Sequence, residues 1–157
     1  QVIGVFDKKL LKIFAEALKN LDIKFAWIVN SEDGLDEISP YTKTNVIQLK
    51  NNVISEIIID PKKLSINAEK FENLIGNDAK YNANKMIEIF KGMDNDFSKA
   101  VCLNAAAGLV VNGNYENFHN SYTSAREFIL SGKTFKHLQK IINDWKYTRK
   151  NHKKEKA

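Results

Sequence analysis

Val2-Ile3-Gly4-Val5-Phe6 and Phe25-Ala26-Trp27-Ile28-Val29 are two short apolar runs near the start of the chain. Each has the length and the β-branched or aromatic composition of a buried strand. Between them, apolar residues recur every three or four positions, as one face of a helix requires. These residues are Leu10, Leu11, Phe14, Ala17, Leu18 and Leu21. Residues 2–29 therefore predict a βαβ unit with parallel strands and a right-handed crossover.

A β-hairpin is predicted over residues 44–59, because two strand-like segments flank Asn51-Asn52. Pro61 lacks an amide donor and ends the second strand. Helical spacing dominates the remainder of the chain. The predicted helices cover residues 68–74, 86–90 with Asn82 as a cap and Gly92 as a stop, 101–111, 118–130 and 135–145.

The predicted fold class is α/β: part of a mixed, mainly parallel sheet of at least four strands, with one hairpin, covered by helices. The length of 157 residues is sufficient for one domain with its own core, and we place it over residues 1–145. A core strand at the very start needs neighbours, so we expect that an amino-terminal segment is missing from this chain. Residues 146–157 are predicted to form a basic, disordered tail.

Composition excludes several classes of protein. The chain has no apolar run long enough to cross a membrane and no export signal, and its single cysteine excludes an intrachain disulfide. A cytoplasmic location is predicted. The net charge of +5 comes largely from the tail, which predicts a solvated terminus rather than a nucleic-acid partner; weak polyanion binding is the alternative.

The principal candidate site is Asp33-Gly34-Leu35-Asp36-Glu37, which follows a predicted strand directly. Ligands of open α/β sheets collect beyond the carboxyl ends of parallel strands. Adjacent carboxylates such as Asp36 and Glu37 repel each other, and a divalent cation between them and an anionic substrate removes this cost. Mg²⁺ prefers such oxygen ligands. The alternative is that Ser31 or Asp33 caps a turn and that the other acids simply face water.

The wider sequence resembles the anthranilate phosphoribosyltransferase family. The segments that carry the resemblance keep their order and separation: Val2-Ile3-Gly4-Val5-Phe6, Asp33-Gly34-Leu35-Asp36-Glu37-Ile38-Ser39, the hairpin from Thr44 to Glu56, Asn82-Ala83, Leu103-Asn104-Ala105-Ala106-Ala107-Gly108-Leu109 and Ser131-Gly132-Lys133. The resemblance extends to about Asn143. It implies the carboxyl-terminal domain of a nucleoside phosphorylase/phosphoribosyltransferase-like fold.

The resemblance also implies a function. Members transfer phosphoribosyl from phosphoribosyl pyrophosphate to anthranilate, with release of pyrophosphate, in tryptophan biosynthesis. By the resemblance, Asp36 and Glu37 are the Mg²⁺ ligands, and the complete enzyme is a homodimer. The family's glycine-rich pyrophosphate loop, its Lys-His-Gly-Asn segment and its anthranilate-binding arginine have no counterpart among these 157 residues. We therefore assign no catalytic or substrate-binding residue, and expect this chain alone to be inactive.

Three positions depart from the family pattern: Asn30 and Ser31 replace a usual His-Gly pair, and Ser65 replaces a glycine. These departures concern the surroundings of the acidic loop and leave both carboxylates in place. Two other functions remain as alternatives, a related nucleoside phosphorylase and a non-catalytic remnant or binding module. We would not expect a phosphorylase loop to carry the Asp36-Glu37 pair.

Other reactive residue types have structural explanations. The spacing of His119, His137 and His152 matches no metal-binding motif. Cys102 lies among apolar residues of a predicted helix, so it is expected to be a small buried side chain.

Overall fold

The computed structural model describes residues 1–154, with Lys146 and residues 148–154 described only as part of a helix. The strands are β1 (Val2–Gly4), β2 (Phe25–Ser31), β3 (Thr44–Lys50) and β4 (Val53–Ile59), and the helices are α1 (Leu10–Asn20), α2 (Ala79–Phe90), α3 (Asp96–Val111), α4 (Phe118–Leu130) and α5 (Lys133–Lys154). Two short 3₁₀ turns cover Pro61–Leu64 and Phe71–Leu74. Each described helix is too short or too polar to cross a lipid bilayer.

The chain forms two compact units. The first comprises residues 1–75 and 95–126, and the second comprises residues 76–94 and the described residues from 127 onward. All four strands belong to the first unit. The single domain predicted over residues 1–145 stays a prediction.

The sheet is mixed, with the strand order β1-β2-β3-β4. β1 pairs parallel with β2, and Val2, Ile3 and Gly4 lie opposite Trp27, Ile28 and Val29. β2 pairs antiparallel with β3, and β3 pairs antiparallel with β4. The α/β class, the four strands and the hairpin are as predicted. The parallel part is smaller than expected in this chain, because β3 returns beside β2 after a loop and not through a crossover helix.

Helix α1 connects β1 to β2 and covers one face of the sheet; together with the parallel pairing of the two strands, this confirms the predicted β-α-β order, while the right-handed crossover stays a prediction. Its buried residues are Leu11, Ala15 and Leu18. They pack with Val5 and with alternate residues of two strands, namely Ala26, Ile28, Ile47 and Leu49. Alternation within a strand sends every second side chain to this core. Helix α1 therefore buries one face of β2 and β3.

The hairpin turn forms at the predicted position. Asn51 and Asn52 have φ values of 49° and 66°, and Lys50 pairs with Val53 across the turn. Two consecutive positive φ angles are typical of a type I′ turn, which matches the twist of the strands and favours asparagine.

Several helix limits differ from the prediction because side-chain caps are read poorly from spacing alone. α2 begins at Ala79, where Asp78 accepts a hydrogen bond from the amide of Tyr81; the prediction that Asn82 is the cap was wrong. α3 begins at Asp96 with Asn95 and Ser98 forming a capping box. The predicted helix over 68–74 is only a 3₁₀ turn from Phe71 to Leu74.

The last helix also differs in length. α5 runs from Lys133 to Lys154, whereas its apolar spacing predicted an end at Trp145. Polar residues with good helix propensity can continue a helix beyond the end of its apolar spacing. The predicted disordered tail includes residues 155–157, which lie outside the described residues.

A Ser65→Gly substitution is expected to stabilise the chain by about 0.5 kcal/mol. Ser65 ends the first 3₁₀ turn with φ 56° and ψ 32°, a left-handed conformation in which a side chain is unfavourable. The gain is partly offset because glycine also loosens the unfolded chain. Urea unfolding followed by circular dichroism measures the change.

Ser55→Gly is the matched control for this substitution. Ser55 lies inside β4 and accepts a hydrogen bond from Gln48 Nε2 at 3.3 Å. Glycine at this strand position should destabilise the chain by about 1 kcal/mol. Equal destabilisation by the two substitutions would contradict our explanation of Ser65.

Candidate metal-binding site

The acidic loop lies beyond the carboxyl end of β2. Because β1 and β2 are parallel, both strands end at this edge of the sheet, which is where α/β proteins place ligands. The loop begins after Ser31 and returns to the sheet at Thr44, where β3 starts opposite Ser31. Asp36 and Glu37 are exposed, whereas Ile38 and Ser39 are buried. The predicted metal ligands thus lie at an accessible point of this loop.

Asp33 is used to shape the loop. Its Oδ1 accepts a hydrogen bond from the Leu35 amide at 3.3 Å, and its Oδ2 accepts one from the Ser39 hydroxyl at 2.5 Å. The amide of Gly34, at φ 88°, donates to the Ser31 carbonyl at 3.0 Å. For Asp33, therefore, the alternative explanation is correct: it caps a turn.

Ser31 holds the base of the loop. Its hydroxyl oxygen lies 2.5 Å from the Glu37 carbonyl, to which it donates, and 2.8 Å from the Thr44 hydroxyl. The same oxygen accepts a hydrogen bond from the amide of Ser39 at 3.1 Å. The side chain is buried, where such hydrogen bonds are costly to leave unmade. Ser31, one of the departures from the family pattern, is thus a structural part of the loop.

Asn30, the neighbouring departure, has a similar role. It is buried, and its Nδ2 donates a hydrogen bond to the Val5 carbonyl at 2.8 Å. The bond joins the end of β2 to the residue that follows β1. Both polar replacements are therefore satisfied by hydrogen bonds at the base of the loop.

Two further contacts fix the backbone of the acidic pair. Gly4 lies against the main chain of Asp36, so closely that a methyl group on Gly4 would lie 1.5 Å from the Asp36 carbonyl oxygen. Asn104, on α3, accepts a hydrogen bond from the Ile38 amide at 2.9 Å. The main chain of residues 36–38 is therefore held by β1, by β2 through Ser31, and by α3.

The carboxylates of Asp36 and Glu37 keep their oxygens available. Within the part of the chain that the structure describes, neither carboxylate is engaged in a hydrogen bond or an ion pair. Mg²⁺ typically takes one or two protein carboxylates and completes its octahedron with water and substrate phosphates. Two adjacent, exposed and unengaged carboxylates fit this requirement, while Asp33 does not.

Asp96 organises a second polar cluster, which the hydroxyl of Tyr41 joins to the same loop. It is only 4% exposed. Its Oδ2 accepts hydrogen bonds from the amide of Glu69 at 2.8 Å, the amide of Lys70 at 3.3 Å and Asn73 Nδ2 at 2.9 Å. Its Oδ1 lies 2.9 Å from Lys99 Nζ. One carboxylate thus attaches the segment before α2 to the start of α3.

The Asp96 cluster shifts the pKa values of Asp96 and Tyr41. Burial alone would raise the pKa of Asp96, but the hydrogen bonds from Lys99, Asn73 and the two amides outweigh burial and hold this pKa well below its usual range. The Tyr41 hydroxyl lies 3.2 Å from Asp96 Oδ2. Burial, and then the negative charge of Asp96, raise the pKa of Tyr41 far above its usual value. Asp96 therefore stays ionised and Tyr41 stays neutral near pH 7.

The roles of Gly4, Asn104 and Asp96 were not predicted from the sequence. A signal existed for Asn104, since asparagine is unfavourable inside a helix and here it precedes a run of alanines. Gly4 within an apolar strand was also a signal, because glycine there often marks a close backbone approach. Asp96 gave no signal beyond its place at a helix start.

The other reactive residues are found in ordinary settings. Cys102 is 1% exposed, as predicted for a small buried side chain. His119 is exposed, and the side chain of His152 lies outside the described residues. Among described residues, no three His, Cys, Asp or Glu side chains cluster closely enough to hold a metal ion by themselves. A site with two carboxylates, whose other ligands are substrate oxygens, needs only two such side chains.

The sequence of this chain is similar to a known protein family and to curated members of it. Residues 1–135 match the family model "Glycosyl transferase family, a/b domain". The anthranilate phosphoribosyltransferase of Pelagibacter ubique (strain HTCC1062) is 73% identical over 143 residues, which cover 91% of this chain and 43% of that protein. The resemblance inferred from the motifs is thereby confirmed.

Solved structures agree on the fold. The anthranilate phosphoribosyltransferase from Thermus thermophilus superposes with a TM-score of 0.79 at 26% identity, over 87% of this chain and 40% of that chain. The Saccharomyces cerevisiae enzyme in complex with PRPP and Mg superposes with a TM-score of 0.77 at 23% identity, over 88% and 40%; this likeness concerns the fold alone. The chain spans less than half the length of these relatives.

Proposed function

The chain belongs to the glycosyl transferase family whose α/β domain it matches, and from this premise we propose that it supplies the Mg²⁺-binding loop of an anthranilate phosphoribosyltransferase. The reaction transfers phosphoribosyl from phosphoribosyl pyrophosphate to the amine of anthranilate and releases pyrophosphate. The observation that carries the proposal is the exposed Asp36-Glu37 pair, on a loop fixed at the carboxyl end of β2, in a chain 73% identical to a relative of that name.

The chemistry requires charge stabilisation more than proton transfer. As the bond from the ribose anomeric carbon to pyrophosphate breaks, positive charge develops on the sugar and negative charge on the departing oxygens. When bound, Mg²⁺ would neutralise the negative charge. The anthranilate amine is already a nucleophile and needs orientation rather than a strong base. Within this chain we therefore assign ligand roles to Asp36 and Glu37 and no acid–base role.

The loop suits this role because its shape does not depend on the two ligands. Neutral groups of Ser31 and Asn104 bind the main chain beside Glu37, so the carboxylates can approach a cation without giving up other partners. A pre-organised site avoids reorganisation when charge develops. By the same family argument, we propose a cytoplasmic enzyme that forms a homodimer when complete.

A chimera tests the proposed function. In the Pelagibacter relative, the 143 aligned residues are replaced by those of this chain, and anthranilate consumption is followed by fluorescence. We expect phosphoribosyl transfer by the chimera and a loss of at least about a hundredfold in kcat/KM in an Asp36→Asn, Glu37→Gln double variant, because charge stabilisation is removed. A chimera that folds but shows no transfer would contradict the proposal.

Direct titration of this chain complements that assay. We expect weak Mg²⁺ binding that strengthens with phosphoribosyl pyrophosphate, and no turnover. The control is the same double variant, which should lose the metal-dependent part of the binding heat. If the binding heat depends on inorganic phosphate and a nucleoside, and not on phosphoribosyl pyrophosphate, the result would favour the phosphorylase alternative.

A further inference from the structure

Asn104 makes a two-point contact with the main chain of a single residue of the acidic loop. Its Oδ1 accepts a hydrogen bond from the Ile38 amide at 2.9 Å, and its Nδ2 donates one to the Ile38 carbonyl at 3.1 Å. The same Nδ2 donates to the carbonyl of Ala100, one turn earlier on α3, at 3.0 Å. Both amide hydrogens and one acceptor position are therefore used. Rotating the amide by half a turn would place two donors against each other.

This contact completes the fixation of one peptide group. The Glu37–Ile38 peptide has its carbonyl bound by the Ser31 hydroxyl at 2.5 Å and its amide bound by Asn104 at 2.9 Å. With both polar atoms held, the plane of the peptide has one orientation. The direction in which the Glu37 side chain leaves the loop depends on that orientation.

The helix brings Asn104 to the loop through small neighbours. Ala100, Leu103, Ala106 and Ala107 are buried on α3, so the helix packs closely. Asparagine lowers helix stability relative to alanine, and the helix itself therefore gives no reason for it at this position. As a neutral amide, Asn104 also adds no charge beside Asp33, Asp36 and Glu37.

We propose that Asn104 is a positioning residue, which sets the Glu37–Ile38 peptide and thereby places Asp36 and Glu37 for a divalent cation. The inference rests on the proposed function of the acidic loop. Asn104 itself does not touch the cation. Partners that orient metal ligands typically change metal affinity by about ten- to a hundredfold when removed.

The test uses Mn²⁺ as the probe, because it accepts the same oxygen ligands and is paramagnetic. Mn²⁺ affinity of the 157-residue chain is measured by electron paramagnetic resonance, and exchange of the Ile38 amide by NMR. For Asn104→Ala, we expect Mn²⁺ binding weaker by about tenfold or more and faster exchange at Ile38, with unchanged exchange at Leu49 in the core. Asn112→Ala is the control, since exposed Asn112 ends the same helix and its side chain bonds to Asn114, away from the loop.

The outcomes separate the inference from the function on which it rests. Wild-type binding that is lost in the Asp36→Asn, Glu37→Gln variant but unchanged in Asn104→Ala would overturn the positioning role alone. If the wild-type chain does not bind Mn²⁺ at Asp36 and Glu37, both the proposed function and the positioning role are overturned. If Asn104→Ala does not fold, Asn104→Leu, which keeps the branched shape and the number of side-chain heavy atoms, is measured in its place with the same criteria.

Discussion

A Gly4→Ala substitution is expected to destabilise the chain by about 3 kcal/mol, at the upper end of the cost of overpacking. The added methyl group would lie 1.5 Å from the Asp36 carbonyl oxygen and 2.6 Å from its carbonyl carbon. Both atoms belong to the main chain, so no side-chain rotation relieves the overlap. Either β1 or the acidic loop must move. Urea unfolding and Mg²⁺ titration of the same sample measure both consequences.

Gly108→Ala is the control for Gly4→Ala. Gly108 lies inside α3, and a methyl group there would meet no atom within 4 Å. Alanine is the better helix former, so this variant should be more stable by about 0.5–1 kcal/mol. Destabilisation of similar size at both glycines, or unchanged stability at Gly4, would contradict the close contact with Asp36.

Asp96→Ala is expected to destabilise the chain by about 3 kcal/mol as well, because three donors lose their partner at one buried position. These donors are the amides of Glu69 and Lys70 and the side chain of Asn73. Two further donors to Asp96 keep another acceptor, which limits the loss: Lys99 keeps the carbonyl of Asn67 at 2.6 Å, and the Tyr41 hydroxyl keeps the carbonyl of Lys70. Thermal and urea unfolding at pH 7 measure the change.

Two comparisons test the explanation for Asp96. Asp60→Ala removes a carboxylate that caps a 3₁₀ turn by accepting from the Lys62 amide at 3.0 Å, and should cost only about 1 kcal/mol. The second comparison is the stability of the chain at different pH values. Because the folded-state pKa of Asp96 is depressed, its contribution is present above about pH 4, the unfolded value, and is lost as the pH falls further. The stability difference between wild type and Asp96→Ala should therefore shrink as the pH falls below about 4. A difference that stays constant over this range would contradict the role given to the Asp96 charge.

Local patterns were enough to predict the elements that frame the site. The βαβ unit and the hairpin follow from strand runs, helical spacing and the Asn51-Asn52 turn, all of which involve residues near each other in sequence. α4 has the predicted limits, Phe118 to Leu130. Helix starts at Asp78 and Asn95 were missed, since a cap depends on one side-chain hydrogen bond.

The contacts that hold the acidic loop were not predictable from spacing. Asn104 and Ile38 are 66 positions apart, and the contact of Gly4 with Asp36 depends on the pairing of β1 with β2. Sequence motifs indicated Asp36 and Glu37 through a family resemblance, but the separation of Asp33 from that pair required the structure. Asp33 bonds to Ser39 and Leu35, whereas the other two residues are exposed to solvent. The ligand roles of Asp36 and Glu37 stay a prediction until the titrations are made.

The two neutral anchors of the Glu37–Ile38 peptide have a consequence for engineering. Since Ser31 and Asn104 hold the backbone, the side chains at positions 36 and 37 can be exchanged without rebuilding the loop. Histidine or cysteine there would present nitrogen or sulfur from the same loop and favour softer ions such as Zn²⁺ over Mg²⁺. Under the proposed function, the loop would be a rigid support whose metal preference is set by the side chains at positions 36 and 37.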